Sequence, residues 1–175
     1  NIEVKDQNNE KGYNQISPTI FALMAAVDAK DSFTFEHSEN VSEYAVKLAE
    51  KLKLPEKDIQ TVKVAGLLHD IGKIGIPEKI LKKQGKLTDE EYEMMKTHVE
   101  KSVEMIRFLP DMDYVIPAVV SHHERYDGKG YPNGIKGKDI PILGRILAVC
   151  DSFDAMISRR TYKEALSVEY AVGEL

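Results

Sequence analysis

From Ile16 onward the apolar residues of this chain recur with the period of a helix. In SENVSEYAVKLAEKLKL, residues Val41, Tyr44, Ala45, Leu48 and Leu52 fall on one stripe. The preceding segment, SPTIFALMAAVDAKD, offers Ser17 as a cap, Pro18 in the first turn and a mostly apolar body. Pro55 closes the stripe and helps open a helix through DIQTVKVAGLLHD, after which Gly72, Gly75 and Pro77 interrupt the pattern. TDEEYEMMKTHVEKSVEMIRFL begins with Thr88 and has Glu91 three residues on, a capping box, and Pro110 ends it. A shorter helix with an internal proline, DYVIPAVVSHHER, leads to the glycine-rich loop YDGKGYPNGIKGKDIP, and PILGRILAVCDSFDAMISRR returns to the helical period.

No segment alternates with period two, and no repeat or low-complexity tract is present. The pattern predicts an all-α fold, a compact bundle of about seven helices with one long loop after His123. Residues 1–15 are polar and aperiodic and read as a linker or leader, leaving 16–175 as one domain. The last helix, opening in SVEYAVGEL, is expected to be cut short and the chain to be a segment of a longer polypeptide.

Charge and composition narrow the choice of partner. With 24 basic and 29 acidic residues the net charge is −5, which does not suit a binder of DNA or RNA polymers. The single cysteine, Cys150, cannot form an internal disulfide and fits a reducing compartment. No apolar run approaches the roughly 18 residues that span a bilayer. A cytoplasmic location without membrane insertion by this segment is the expectation.

The candidate chemistry lies in the histidines. All five stand in short, distinctive contexts: His37 in FTFEHSENV, His69 in HDIGKIGIP beside Asp70, His98 in THVEKS, and His122 and His123 in HHERYDGKGYP. Asp151 follows in AVCDSFDAM. Taken singly, His37 or His98 is more simply a packing or surface residue, and Asp151 a solvated carboxylate. Together the seven nitrogen and oxygen donors are too many for one divalent cation and suit two. Imidazole and carboxylate without thiolate suit iron, manganese or zinc and are poor for a soft metal, with iron or manganese the expectation and zinc open. Two cations sharing a carboxylate are a recurrent means of hydrolysing phosphate esters.

HDIGKIGIP and HHERYDGKGYP resemble the two defining motifs of the HD-GYP domain, a branch of the HD metal-dependent phosphohydrolases. FTFEHSENV, THVEKS and AVCDSFDAM resemble its flanking segments, and the likeness runs from about Phe21 to Leu166. The resemblance implies that His37, His69, Asp70 and Asp151 hold one metal and that Asp70, His98, His122 and His123 hold the second, with Asp70 between them. It implies a phosphodiesterase that opens cyclic di-GMP to linear pGpG, and further to GMP in some members, by water activated between two metals. Members with a third metal carry a Glu four residues before the first His. Phe33 stands at that position here, which favours two metals and arrest at the linear dinucleotide.

By the same resemblance Lys73 reaches a phosphate, balancing charge or protonating the leaving 3′-oxygen, so Asp70 and Lys73 are the catalytic candidates. Tyr131 would offer its ring to a guanine and its hydroxyl to a phosphate, and Arg160 and Lys163 would contact phosphates. Arg159 and Thr161 replace the Asp and Pro of many members. Without the resemblance, Lys73 reads as a solvated lysine, Tyr131 as a packing residue of a structural loop, and the basic cluster as a helix-end dipole contact. Arg145, Glu124 and Asp127 read as supporting or structural groups. Receiver or GGDEF-type domains are the implied partners. A plain HD hydrolase acting on another nucleotide, or a silent nucleotide-binding or docking module, are the alternatives.

Overall fold

The computed structural model describes residues 18–30, 34–158 and 165–175. Among these the regular structure is entirely helical, as the period predicts. The helices are α1 (Pro18–Asp28), α2 (Thr34–Lys51), α3 (Glu56–Leu68), α4 (Glu78–Leu81), α5 (Asp89–Lys96), α6 (His98–Ile106), α7 (Ile116–Val120), α8 (Ile142–Ile157) and α9 (Val168–Glu174). Short 3-10 turns cover Ile71–Gly75, Asp113–Val115 and Gly137–Asp139. The stretch 1–15, the Ser17 cap, Phe33, Arg160 and Lys163 lie outside the described residues. Among those described, no helix is long and apolar enough to cross a membrane.

The core forms where the apolar stripes meet. Val41, Ala45 and Ala49 of α2, Val62, Ala65 and Leu68 of α3, and Ile146, Leu147 and Cys150 of α8 are buried in one cluster. The alanines keep side chains short where α2 and α3, the principal helix pair, run closely together. The stripe ends sooner than the period suggests: Leu52 follows the last residue of α2 and is 50% exposed, because the chain turns there through Lys53 at φ +56.

Three helix boundaries differ from the expectation and move histidines. The helix read through DYVIPAVVSHHER is α7, which ends at Val120, so His122 and His123 follow it in a turn. α2 starts four residues before SENV, at Thr34. The Asp28 carboxylate accepts a hydrogen bond from the Phe35 backbone N–H at 3.2 Å, satisfying a first-turn donor that would otherwise lack a partner. His37 therefore sits in the first turn of α2 rather than ahead of the helix. The single helix read from Thr88 to Pro110 is broken at Thr97. Its N–H donates to the Met94 carbonyl at 3.2 Å and its hydroxyl to the same carbonyl at 2.7 Å, tightening one turn. His98 thus opens α6 instead of lying mid-helix. The capping box forms as expected, with the Glu91 N–H donating to Thr88 Oγ1 at 3.3 Å and the Thr88 N–H to Glu91 Oε2 at 2.8 Å.

The Ile71–Gly75 turn lies directly on α6. A Cβ on Gly72 would fall 2.0 Å from the His98 carbonyl oxygen and 2.4 Å from the Ser102 nitrogen, so only glycine fits. Ser102 ties the contact. Its Oγ accepts from the Gly72 N–H at 2.8 Å and donates to the His69 carbonyl at 2.8 Å. This contact sets the end of α3 against the start of α6. Gly72→Ala is expected to destabilise the chain by about 1–3 kcal/mol or more, read as a lowered urea midpoint with the helical circular dichroism of the folded state kept.

Candidate metal centre

Five segments converge on one buried volume. The first turn of α2 brings His37, the end of α3 brings His69 and Asp70, and the first residue of α6 is His98. The turn after α7 brings His122 and His123, and the middle of α8 brings Asp151. Donor atoms within 4.8 Å of one another group as Asp70, His98, His122 and His123, as His37, His69 and Asp70, and as His69, His122 and Asp151. Asp70 belongs to two of these groups. All seven donors named from the sequence are gathered, and this set is a candidate binuclear metal centre.

The ring orientations follow from the backbone. His69 Nδ1 lies 2.7 Å from the Gly66 carbonyl oxygen, His98 Nδ1 2.7 Å from that of Met95, and His122 Nδ1 2.6 Å from that of Val119. A carbonyl can only accept, so each Nδ1 carries the proton and each Nε2 in the neutral ring presents a lone pair. These three Nε2 atoms are buried and have no hydrogen-bond partner. Two of them face Asp70, His69 Nε2 at 3.3 Å from Oδ2 and His98 Nε2 at 3.2 Å from Oδ1. Lone pairs opposed to a carboxylate at that range repel, and a cation between them removes the conflict. The donor set therefore fits divalent metal.

Charge supports the same reading. Burial, reinforced by the neighbouring imidazoles His123, His69 and His98, holds His122 well below its ordinary pKa. Burial pushes His123 down to about 4, against the pull of Asp151. Both rings are neutral near pH 7 and ready to ligate. For Asp70, burial works to raise the pKa, but the Lys73 ammonium at 2.7 Å outweighs it and holds the carboxyl well below the usual range. His37 differs. Burial lowers its pKa, yet hydrogen bonds to Asp151 and Asp154 prevail and raise it to about 9.

Asp154 is the residue that sequence reasoning missed. It lies one turn beyond Asp151 on α8, is fully buried, and accepts from His37 Nδ1 at 2.6 Å. His37 Nε2 is thereby turned toward Asp151 Oδ1 at 3.1 Å and Asp70 Oδ2 at 3.9 Å. The i, i+3 pair of aspartates in DSFD was the available signal.

The sequence profile of the HD domain matches residues 22–175. The chain belongs to the HD-domain family. It is 40% identical to the cyclic di-GMP phosphodiesterase response regulator RpfG of Xanthomonas campestris, over 90% of this chain and 42% of that protein. It is 39% identical to 3'3'-cGAMP-specific phosphodiesterase 2 of Vibrio cholerae, over 99% of this chain and 32% of that protein. The chain thus spans about a third to about two fifths of the length of these relatives. Its fold matches that of Bd1817, an HDG"Y"P protein from Bdellovibrio bacteriovorus, with a TM-score of 0.65 at 22% identity, covering 97% of this chain and 58% of that one.

In this HD domain the long loop folds back onto the metal centre. A Cβ on Gly130 would fall 2.3 Å from the Arg125 nitrogen and 2.5 Å from the His123 carbonyl oxygen, a closeness only glycine allows. The Tyr131 N–H then donates to that carbonyl at 3.1 Å, and its ring stacks on His123 with centroids 4.8 Å apart. The remaining polar groups shape the loop. Glu124 Oε1 accepts from the Asn133 N–H at 2.7 Å, and Asp127 accepts from Arg125 at 3.1 and 2.8 Å and from the Lys129 N–H at 3.0 Å. Arg145 Nε is buried with no hydrogen-bond partner.

Removing the carboxylate that aims His37 tests the supporting layer. Asp154→Ala is expected to weaken Mn²⁺ binding by about 10–100-fold, measured by calorimetric titration of the metal-free chain, with little change in the affinity of a cation bound through His98, His122 and His123.

Proposed function

We propose that this HD domain is a metal-dependent phosphodiesterase that hydrolyses a cyclic dinucleotide. His37, His69, Asp70 and Asp151 would hold one divalent cation, and Asp70, His98, His122 and His123 the other. The observation that carries the reading is the set of buried, unpartnered imidazole lone pairs directed at one shared carboxylate. The nitrogen and oxygen donors favour iron or manganese. Cations held there supply Lewis acidity toward the phosphoryl group and toward water.

The chain's own residues divide the remaining work. The Nδ1–carbonyl bonds keep the rings in one tautomer. Asp70 joins the two groups of donors, and Lys73, at 2.7 Å from it, offsets carboxylate charge and offers an ammonium N–H to the phosphate or to the departing 3′-oxygen. Tyr131 walls the centre with its ring against His123 and presents a face on which a base can stack. Arg160 and Lys163 are assigned to the substrate phosphates.

Cyclic di-GMP is the preferred substrate in this reading, as the name of the Xanthomonas relative supports. The similarity to the Vibrio enzyme keeps 3'3'-cGAMP as the second candidate. Phe33, in place of a further carboxylate, favours arrest at the linear product. The greater length of the relatives accords with receiver or GGDEF-type domains as partners, and the composition with a cytoplasmic setting.

The test is anaerobic loading with Fe²⁺ or Mn²⁺, elemental analysis, and chromatography of products from each of the two dinucleotides. About two metals per chain and a linear dinucleotide product are expected. Asp70→Ala should lower turnover by more than about 100-fold, beyond the loss typical of a supporting residue, and lower the metal content with it. Absence of cleavage of both substrates by the fully loaded chain would refute the proposal.

A further inference from the structure

Four of the five imidazoles are anchored by a hydrogen bond. His69, His98 and His122 each bond a backbone carbonyl through Nδ1, and His37 bonds Asp154. His123 has no such anchor among the described residues. Its Nδ1 stands 4.0 Å from Asp151 Oδ2, beyond hydrogen-bond range, and its side chain is 26% exposed. A ligating ring without a partner on its second nitrogen is an exception, because that bond ordinarily fixes tautomer and aim. Some other contact must hold this ring.

The contact is made by rings. His122 and His98 lie 4.0 and 5.1 Å from His123, centroid to centroid, and both are fixed by their own carbonyls. Tyr131 lies 4.8 Å away and is stacked, with 30° between the planes. The Tyr131 N–H is tied to the His123 carbonyl, but that bond does not set the direction of the phenol. The direction is set from α5. Tyr92 meets the Tyr131 ring edge to face, at 82° and 6.3 Å, an arrangement that aromatic pairs prefer. The Lys96 ammonium stands 5.3 Å from the Tyr92 centroid and 5.7 Å from that of Tyr131, and pairs with Glu93 at 2.5 Å. Tyr92 and Lys96 are four positions apart on α5 and so share one face.

We infer that Tyr92 and Lys96 are positioning residues of the metal centre: they hold the Tyr131 ring against His123, and stacking there takes the place of the missing hydrogen bond in aiming the imidazole. α5 supplies none of the seven donors, and this contact gives it a part in the centre. The inference rests on the proposed function for the cation that His123 would meet, whereas the ring contact itself needs no cation.

NMR of the metal-free chain at fixed pH tests the contact without metal or substrate. The ring C–H signals of His123, assigned by their loss in His123→Ala, should carry the ring-current shift of a stacked tyrosine. Tyr92→Leu should move them toward the position of an unstacked histidine and leave those of His69 and His37 in place. Tyr92→Phe, which keeps the ring edge, should restore them. Tyr92 is 48% exposed, so the core is spared, and general damage would move the signals of all five histidines.

Calorimetric titration with Mn²⁺ then reads the consequence. Tyr92→Leu should weaken by about 10-fold the site that His123→Ala weakens, the low end for a supporting partner of a ligand. In a His123→Ala chain it should cost nothing further, which a merely structural role would not predict. Lys96→Met should act in the same direction by about 3-fold, and serves alone if Tyr92→Leu does not fold. His123 signals unmoved by these variants, or an equal loss of Mn²⁺ affinity with and without His123, overturn the inference even where the loaded chain cleaves its dinucleotide. The expected shifts in a loaded chain that cleaves neither dinucleotide sink the phosphodiesterase reading and uphold the aiming of His123.

Discussion

A carboxylate buried among imidazole lone pairs is the constraint around which this domain is organised. Asp70 is ionised by virtue of Lys73, although its burial alone would protonate it. His69 and His98 turn acceptor nitrogens toward it because their other nitrogens are engaged by backbone carbonyls. Such an arrangement costs stability in a protein without cations, since several buried polar atoms have no partner. A divalent ion held there would offset that cost. The helices are the means of holding these groups in place.

That holding depends on close backbone contact more than on bulk. The Ile71–Gly75 turn sits on α6 through Gly72 and Ser102, which brings the end of α3 and the start of α6 within reach of each other. Gly130 does the same for the long loop, laying Tyr131 over His123. The large apolar residues in the cluster of α2, α3 and α8 stabilise the bundle, and the two glycines fix the separation of the donors.

Much of this was legible in the chain. The helical period predicted an all-α fold, Thr88 and Glu91 marked a helix start, and the contexts of the histidines named all seven donors that the fold gathers. The misreadings have local causes. The entry to α2 depends on Asp28, a residue of the preceding helix whose carboxylate reaches Phe35, and no periodicity in Thr34–His37 signals it. The break at Thr97 arises from a hydroxyl bonding its own helix, while the apolar pattern runs through it unbroken. Asp154 was hidden because its partner, His37, is 117 positions away in the chain. The roles of Arg160 and Lys163 rest on resemblance, their positions being outside the described residues.

The anchoring of the imidazoles has a further implication. Gly66, Met95 and Val119 lie in the last turns of α3, α5 and α7, where carbonyls run out of helical partners. Each ring is thus aimed by its own strand of backbone, three residues upstream, and not by the other donors. Aim is a local property, whereas assembly is a property of the whole bundle. An exchange of one donor for another leaves the remaining rings pointing as before, so a lineage built on this scaffold can change its preferred ion one residue at a time without having to rebuild the cage.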